Sequence, residues 1–310
     1  MQQRMLGRTG LSVSVIGFGA APLGNEYGDL DPRDGQRAVH TAIEEGINFF
    51  DTSPYYGRTL SEERLGEALL GRRERVVLST KCGRYDRAKF DFSAARVTAS
   101  LDESLARLRT DYVDILLAHD IEFGSVEQVL HETIPAMRKL QKQGKARWIG
   151  ISGLPIRLLA TVAVAGQVDV VLSYCHYNLM IRDLNELLVP SLEKNQIGLI
   201  NASPLHMGML THAGPPPWHP AAPEIKEAAR RVVSLCAERG LNPAVLGLNF
   251  ALQNKYISST LVGISHPAQV KENLEALTFK ADPELLDAIE EAIAPVKGRS
   301  WPSGRPENNL

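Results

Sequence analysis

Four side chains of complementary chemistry stand at or just beyond the ends of apolar segments in this 310-residue chain. Asp51, Lys81 and His119 each end such a segment, and Tyr56 follows Asp51 in the stretch DTSPYYG. A lysine ammonium beside a phenol lowers the phenol pKa, and a histidine beside a substrate oxygen can donate a hydrogen bond. An aspartate paired with that lysine would keep it charged and in position. The set therefore predicts proton transfer at a hydroxyl or carbonyl group, with no nucleophile required.

Each of the three segment-end residues also has an ordinary structural explanation when it is taken singly. Asp51 could cap a turn, Lys81 could reach solvent along its apolar stem, and His119 could be a hydrogen-bonded structural histidine. A functional site is favoured because the residues end successive segments of the same kind. Nucleophile and metal motifs such as GxSxG and HExxH do not occur in the sequence, so no metal ion is expected.

Eight short apolar runs alternate with stretches whose apolar residues recur at helical spacing. Runs that are apolar throughout, with helices between them, predict a parallel sheet covered on both faces, and eight of them fit a closed (β/α)8 TIM barrel. The active site of such a barrel lies at the carboxyl ends of its strands. The predicted strands cover 13–19, 47–51, 75–81, 112–119, 147–152, 168–174, 197–203 and 258–265. The predicted helices include 34–46, 61–73, 93–108, 125–144 and 223–240.

The main alternative fold for this α/β alternation is a doubly wound dinucleotide-binding sheet. That fold should show GxGxxG after its first strand, whereas the glycines of IGFGAAPLG have a different spacing. Because no repeat, linker or break in composition is present, residues 1–310 are predicted to form a single domain. Its tail, 298–310, is either poorly ordered or folded over the surface by Trp301. A proline-rich loop at 212–223 follows the seventh strand, where it could cover a substrate or lie passively on the surface.

Composition and charge restrict the setting and the partners of the chain. With 34 Lys plus Arg and 36 Asp plus Glu the formal net charge is −2, so neither nucleic acid nor a membrane is an expected partner. The three cysteines form no CxxC pair, which fits a reducing compartment. No apolar run reaches the roughly 18 residues of a membrane span. We therefore expect a cytoplasmic protein. No feature of the sequence marks an interface between copies, so a monomer or a small homo-oligomer is expected.

Eight segments spread over nearly the whole chain carry a family resemblance. They are MLGRTGLSVSVIGFG, GINFFDTSPYYGRTLSEERLGEAL, TKCGRY, DYVDILLAHDIE, GKARWIGISGL, HYNLMIRD, ASPLHMGMLT and LVGISHPAQVKENL. In this order the segments resemble the aldo-keto reductases. The resemblance implies a (β/α)8 barrel that uses a nicotinamide cofactor without a doubly wound domain. It also implies a catalytic tetrad in which Tyr56 is the general acid/base, and the tetrad consists of Asp51, Tyr56, Lys81 and His119.

The resemblance further implies which residues hold the cofactor, although several positions depart from the usual family pattern. The asparagine that usually follows Ser152 is replaced by Gly153. The glutamine that usually ends the sixth strand is Tyr174, and the tyrosine that usually stacks on nicotinamide is Ala202. The cofactor residues implied are Ser152, Tyr174, Ser203, Leu205, Gly208, Leu210, Gly263, Ser265, Gln269, Glu272 and Asn273.

The loop after the last predicted strand, GISHPAQVKEN, bears on the choice between NAD and NADP. Relatives that prefer NADP place cationic side chains there against the 2′-phosphate. Gly263 and Gln269 stand where that pattern has lysine and arginine, and Lys271 is the nearest cation. A phosphate dianion without a charge-assisted partner binds poorly, so NAD is expected rather than NADP.

The segments are most similar to the branch of the family that oxidises L-galactose. This similarity implies NAD-dependent oxidation of an L-sugar at C1, with L-galactose converted to its lactone. The alternatives are L-fucose or another aldose as substrate, NADP-dependent reduction of an aldehyde, and a non-catalytic regulatory barrel. The small-molecule sugar is expected to contact residues near the strand ends and in the proline-rich loop. The candidates are Tyr55, Arg84, Tyr85, Asp120, His176 and Trp218.

Overall fold

A computed structural model describes residues 1–309, so Leu310, the last residue of the predicted tail, lies outside the described residues. The strands are β1 (Gln3–Met5), β2 (Ser12–Ser14), β3 (Ile16–Gly19), β4 (Phe49–Asp51), β5 (Val77–Cys82), β6 (Val113–Ala118), β7 (Ala146–Gly153), β8 (Val170–Tyr174), β9 (Gly198–Ala202) and β10 (Ser259–Gly263). Strands β3 to β10 pair in parallel and close into a barrel, in which β10 lies between β9 and β3. The predicted eight-stranded barrel is confirmed.

Helices cover the outside of this barrel between successive strands. They are α1 (Pro32–Glu44), α2 (Leu60–Ala68), α3 (Ala94–Leu108), α4 (Val126–Gln128), α5 (Ile134–Lys142), α6 (Ile156–Ala165), α7 (Leu184–Leu187), α8 (Val189–Lys194), α9 (Pro223–Ala237), α10 (Pro243–Leu252), α11 (Pro267–Glu275) and α12 (Pro283–Ile293). A single π turn, Val129–Thr133, joins α4 to α5. The helix predicted at 61–73 ends earlier, because the chain leaves the helix before Gly71 turns it with a φ of +71°. None of the helices in residues 1–309 combines the length and apolarity needed to cross a membrane.

The first predicted strand, 13–19, is wrong as a single element. Its beginning belongs to β2, which pairs antiparallel with β1, and only β3 enters the barrel. The short hairpin carries Leu6, Leu11 and Val13 into contact with the barrel's lower interior, where Phe49 is also buried. Burial of these apolar side chains closes the amino-terminal end of the barrel. The carboxyl ends of the strands, at the opposite end, are left for polar side chains.

The C-terminal tail packs onto loops that follow β6 and β9. The Trp301 ring lies 5.3 Å from the His206 ring and 5.0 Å from the His219 ring, centroid to centroid. Farther along, the Asn308 side-chain amide donates hydrogen bonds to the carbonyl oxygens of Glu122 at 2.8 Å and Gly124 at 3.0 Å. Of the two expectations for the tail, folding over the surface through Trp301 is the one observed.

Candidate active site

The carboxyl ends of three neighbouring strands bring charged and titratable side chains together. Asp51 is the last residue of β4, Lys81 lies one residue before the end of β5, and His119 follows β6 directly. Lys81 Nζ donates hydrogen bonds to an Asp51 carboxylate oxygen and, at 2.8 Å, to the Thr52 carbonyl oxygen. Only 1% of Lys81 and 3% of Asp51 is exposed. The ion pair is therefore desolvated, and it holds the ammonium group in one place.

Tyr56 reaches the ion pair from the turn that follows β4. Lys81 Nζ donates a hydrogen bond to the Tyr56 hydroxyl at 3.2 Å and lies 4.7 Å from the centre of the tyrosine ring. The next residue, Gly57, has a φ of +62°, and a Cβ on it would lie 2.3 Å from the Gly24 carbonyl oxygen. Only glycine tolerates both conditions, and the close approach of the two backbones holds the turn that carries Tyr56.

His119 lies beside the tyrosine and completes the cluster. The rings of His119 and Tyr56 meet edge to face, with centroids 5.6 Å apart and an interplanar angle of 86°. His119 Nδ1 lies 2.9 Å from the Ser53 hydroxyl oxygen. The structure thus brings all four predicted catalytic residues together. A phenol, an ammonium and an imidazole grouped in this way can hydrogen-bond one substrate oxygen and exchange a proton with it.

Burial dominates the acid–base properties of this cluster. It raises the pKa of Tyr56 well above the ordinary value, and the negative charges of Asp51 and Asp120 raise it further. Desolvation of the phenolate outweighs the lowering of this pKa by the positive charge of Arg84, and the expected effect of Lys81 on the phenolate stays a prediction. Burial, with the positive charge of Lys81 added, lowers the pKa of His119 well below its ordinary value. His119 is consequently a neutral hydrogen-bonding group near pH 7.

Three of the predicted substrate residues form a second polar group beside the cluster. The Arg84 guanidinium pairs with the Asp120 carboxylate and stacks 4.0 Å from the centre of the Tyr55 ring. The Tyr55 ring in turn lies 5.8 Å from that of His119. Arg84 Nε is buried without a hydrogen-bond partner in the described part of the chain. The group therefore offers a planar donor and a carboxylate next to the place where the proton transfer would occur.

The other three predicted substrate residues lie in different surroundings. His176 Nδ1 lies 2.8 Å from an aspartate carboxylate, and its Nε2 is buried without a partner among residues 1–309. Trp218 is 41% exposed, and its ring lies 5.9 Å from that of Tyr27. The Tyr85 ring lies against the guanidinium of Arg96 in α3, at 4.4 Å. Tyr85 thus packs outward against a helix, and the structure does not bring it to the group around Arg84.

The predicted cofactor residues occupy the ends of four successive strands and the segments that follow them. Ser152 is buried near the end of β7, where its hydroxyl accepts a hydrogen bond from the Asp120 backbone nitrogen at 3.3 Å. Tyr174 ends β8, and its hydroxyl donates to Glu122 at 3.5 Å. In the turn after β9, Leu210 is fully buried and its backbone nitrogen donates to the Leu205 carbonyl oxygen, so it presents the core rather than a ligand surface. The other predicted cofactor residues in this turn, Ser203, Leu205 and Gly208, remain partly exposed.

The loop after β10 and the first turns of α11 hold the last cofactor group. Gln269 Oε1 accepts hydrogen bonds from the backbone nitrogen and the hydroxyl of Ser265, at 2.8 and 3.1 Å, and it caps the helix by accepting from the His266 backbone nitrogen at 3.2 Å. Gly263 and Glu272 are exposed. Asn273 is buried, and its Nδ2 has no partner in the described residues. A buried amide without a partner is uncommon, and it fits a donor that is used by a ligand such as the adenine end of a dinucleotide.

Glu122 is a buried residue of the site that no motif in the sequence indicates. Its Oε1 accepts hydrogen bonds from the Ser303 hydroxyl at 2.9 Å and from the Leu154 backbone nitrogen at 3.2 Å. Burial, with the charge of Asp120 added, raises the pKa of Glu122 to about 8. A Cβ on Gly153 would lie only 2.5 Å from Glu122 Oε2, so this carboxyl fills the space that an asparagine at position 153 would need. No local signal could reveal this role, because Ser303 is 181 positions away.

Fold and site together define a class of protein. A closed parallel barrel whose strand ends hold a buried Asp–Lys pair in contact with a tyrosine, beside a neutral histidine, is the arrangement of a barrel oxidoreductase. The family model described as "Aldo/keto reductase family" matches residues 15–294, so the chain belongs to that family. It is therefore an oxidoreductase of a class that uses a nicotinamide cofactor.

Individual relatives cover almost the whole chain. It is 50% identical over 318 aligned positions to an L-galactose dehydrogenase of Arabidopsis thaliana, and the match covers 99% of each chain. It is 31% identical to a D-arabinose 1-dehydrogenase of Saccharomyces cerevisiae, with 96% of each chain covered. Among solved structures, the holo form of an aldo-keto reductase from Bacillus halodurans has a TM-score of 0.80 at 25% identity, with 100% of both chains covered.

Proposed function

We propose that the protein is an NAD-dependent dehydrogenase that oxidises C1 of an L-sugar, with L-galactose converted to its lactone. The observation that carries the proposal is the contact of Lys81 with both Asp51 and the Tyr56 hydroxyl, next to a buried, neutral His119. The 50% identity to an L-galactose dehydrogenase over 99% of the chain supports the choice of substrate.

In this proposal, oxidation removes two hydrogens from the anomeric C1–OH group of the sugar. The hydrogen on C1 leaves as a hydride to the cofactor, and the hydroxyl hydrogen leaves as a proton to the protein. The bound nicotinamide supplies the acceptor for the hydride from C1. Tyr56, as the phenolate, takes the proton from the anomeric hydroxyl, and Lys81 stabilises the phenolate charge. His119 donates a hydrogen bond to the same oxygen and orients the sugar. Because the pKa of Tyr56 is raised well above its ordinary value, the rate of oxidation should increase with pH across the neutral range.

The polar group beside the tetrad suits recognition of a sugar. The unpartnered Nε of Arg84 is a donor, and the Asp120 carboxylate is an acceptor, so together they match neighbouring hydroxyl groups. The Tyr55 ring adds an apolar face of the kind on which C–H groups of a sugar pack. L-Galactose and L-fucose differ by one hydroxyl group, so this pair of substrates tests how many of these contacts are used.

The choice of NAD is supported by the charges around the loop after β10. Gly263 and Gln269 are neutral, and the Asp34 carboxylate of α1 lies 3.6 Å from His266 at the start of α11. This carboxylate also pairs with Arg37 of α1, and beside the loop it would disfavour the extra phosphate of NADP relative to the free hydroxyls of NAD. In our proposal Asn273 and Glu272 hold the adenosine end, while Ser152 and Tyr174 lie at the nicotinamide end.

Kinetics of Tyr56→Phe test the proposed chemistry. With NAD and L-galactose we expect kcat to fall at least about 100-fold, since general acid–base catalysis typically contributes about 10²–10⁴-fold. Tyr112→Phe, which removes the hydroxyl of a tyrosine outside the barrel, should leave the rate unchanged. Unchanged turnover by Tyr56→Phe would refute the acid/base role.

A substrate and cofactor panel tests the proposed specificity. The wild-type protein is assayed with L-galactose, L-fucose, D-galactose and D-arabinose, each with NAD and with NADP. The highest kcat/KM is expected for L-galactose with NAD. Absence of sugar oxidation, together with NADPH-dependent reduction of aldehydes, would reject the proposal in favour of an aldehyde reductase. Absence of both activities would favour a non-catalytic barrel.

A further inference from the structure

Ser53 lies two residues after Asp51, in the turn that carries Tyr56, and none of the roles described above uses its side chain. The residue is completely buried. Its carbonyl oxygen accepts a hydrogen bond from the Tyr56 backbone nitrogen at 3.1 Å, which closes the turn. Its hydroxyl oxygen lies 3.1 Å from the Tyr55 backbone nitrogen and 2.9 Å from His119 Nδ1. The hydroxyl is thus held from both sides and points at the histidine.

The direction of the Ser53–His119 hydrogen bond follows from counting donors and acceptors. A serine hydroxyl has one hydrogen to donate and two lone pairs that can accept. One lone pair accepts the Tyr55 N–H, and His119 Nδ1 is the remaining hydrogen-bond partner of the hydroxyl in residues 1–309. If Nδ1 carried a hydrogen, the hydroxyl hydrogen of Ser53 would be buried without an acceptor, which is strongly disfavoured. Ser53 must therefore donate, and Nδ1 must accept.

We propose that Ser53 is a positioning residue that holds the hydrogen of the neutral His119 ring on Nε2. The side of the ring opposite Ser53 agrees with this assignment, because the Asp120 carboxylate lies 3.7 Å from Nε2 and favours an N–H there. Burial and nearby cations keep the pKa of His119 low, so the ring has a single hydrogen to place. Ser53, in the turn that carries Tyr56, thereby determines the tautomer of the His119 ring.

The consequence for catalysis is a donor that is oriented before the substrate arrives. With its hydrogen on Nε2, His119 can donate to the substrate oxygen that Tyr56 deprotonates, whereas the other tautomer would present a lone pair to it and repel it. This consequence rests on the proposed function. The position of the hydrogen on the ring, in contrast, can be measured without any substrate or cofactor.

Long-range ¹H–¹⁵N correlation spectra of the full-length protein with ¹⁵N-labelled histidine measure the tautomer directly. The chain has 8 histidines, so the His119 signals are assigned from their loss in His119→Gln. We expect a protonated, pyrrole-type Nε2 and an unprotonated, pyridine-type Nδ1 in the wild-type protein. Ser53→Thr, which keeps the hydroxyl, should retain this pattern, and Ser53→Ala should populate both tautomers. Ser259→Ala, which removes a buried hydroxyl at the start of β10, serves as the control and should change nothing.

Kinetics add a readout that loss of packing alone would not change. In Ser53→Ala we expect kcat to fall about tenfold, which corresponds to one lost hydrogen bond. The kcat/KM profile falls with decreasing pH as Tyr56 is protonated, and in this variant it should steepen at a higher pH than in the wild type, because Nδ1 of His119 becomes free to take a proton. Ser53→Thr should restore the wild-type profile.

Two results would overturn the proposal. One is a wild-type His119 that carries its hydrogen on Nδ1, which can be seen even if the alanine variant does not fold. The other is a Ser53→Ala variant that keeps the wild-type ring signals and a kcat within about twofold of the wild type. Neither result depends on which sugar is the substrate, so failure of this inference can be distinguished from failure of the proposed function.

Discussion

Replacing Lys81 by methionine should destabilise the fold strongly, and a second substitution should recover most of the loss. Lys81 and its partner Asp51 are 1% and 3% exposed, and Asp51 Oδ2 already has no hydrogen-bond partner among the described residues. Lys81→Met therefore leaves a buried carboxylate without its counter-charge, at a cost of about 3–5 kcal/mol of unfolding free energy. In Lys81→Met/Asp51→Asn both charges are gone. We expect the unfolding free energy of this double variant to lie within about 1–2 kcal/mol of the wild-type value.

Guanidinium unfolding of the wild type, both single variants and the double variant measures this cycle. Activity should be low in all three variants, so the unfolding free energy is the informative quantity. The pH dependence gives a second check. Burial raises the pKa of Asp51 and Lys81 opposes the rise, so removal of Lys81 raises this pKa further. A carboxyl with a raised folded pKa contributes stability that is present below the unfolded pKa and is lost as the pH rises through the folded pKa.

The deficit of Lys81→Met relative to the wild type should therefore be smaller at about pH 4 than at about pH 7.5. An unfolding free energy for Lys81→Met within about 1 kcal/mol of the wild type at neutral pH would refute the reasoning, because it would mean that the carboxylate is hydrated after all. A double variant no more stable than Lys81→Met would refute it too, since the buried charge would then not be the cause of the loss.

Two further predictions concern the cofactor loop and the tail. Asp34→Lys should raise kcat/KM for NADP about tenfold with little change for NAD, because it exchanges a repelling carboxylate beside His266 for a cation. Asp287→Lys on α12 makes the same charge change and serves as the control. An equal gain in kcat/KM for NADP in Asp287→Lys would contradict the local explanation. Glu122 has a pKa raised to about 8, so its contribution to stability is fully present below its unfolded pKa and is lost as the pH rises towards and through about 8. Thermal unfolding should therefore show a decline over this range, of up to about 1.4 kcal/mol per pH unit, that is missing in Glu122→Gln. Equal slopes for the two proteins would show that this carboxyl is already ionised at neutral pH.

Local patterns in the sequence are sufficient to predict the barrel and the cluster of polar residues at the carboxyl ends of its strands. Strands that are apolar throughout and helices with apolar spacing are local patterns, and eight alternations leave few other folds. Once the strands are parallel, their carboxyl ends share one edge of the barrel. Asp51, Lys81 and His119 end neighbouring strands, so their meeting follows from position along the chain, and the structure shows it.

Features that depend on distant partners or on desolvation arise only when the whole chain is folded. Residues 13–19 read as one strand, but pairing with β1 divides them between the hairpin and the barrel. Burial, which is a property of the whole fold, raises the pKa of Tyr56 and outweighs the lowering by the charge of Arg84. Ser53 contacts His119 across 66 positions, and Glu122 contacts Ser303 across 181. Such contacts arise when the barrel closes and the tail packs onto it, and no local pattern of residue types specifies them.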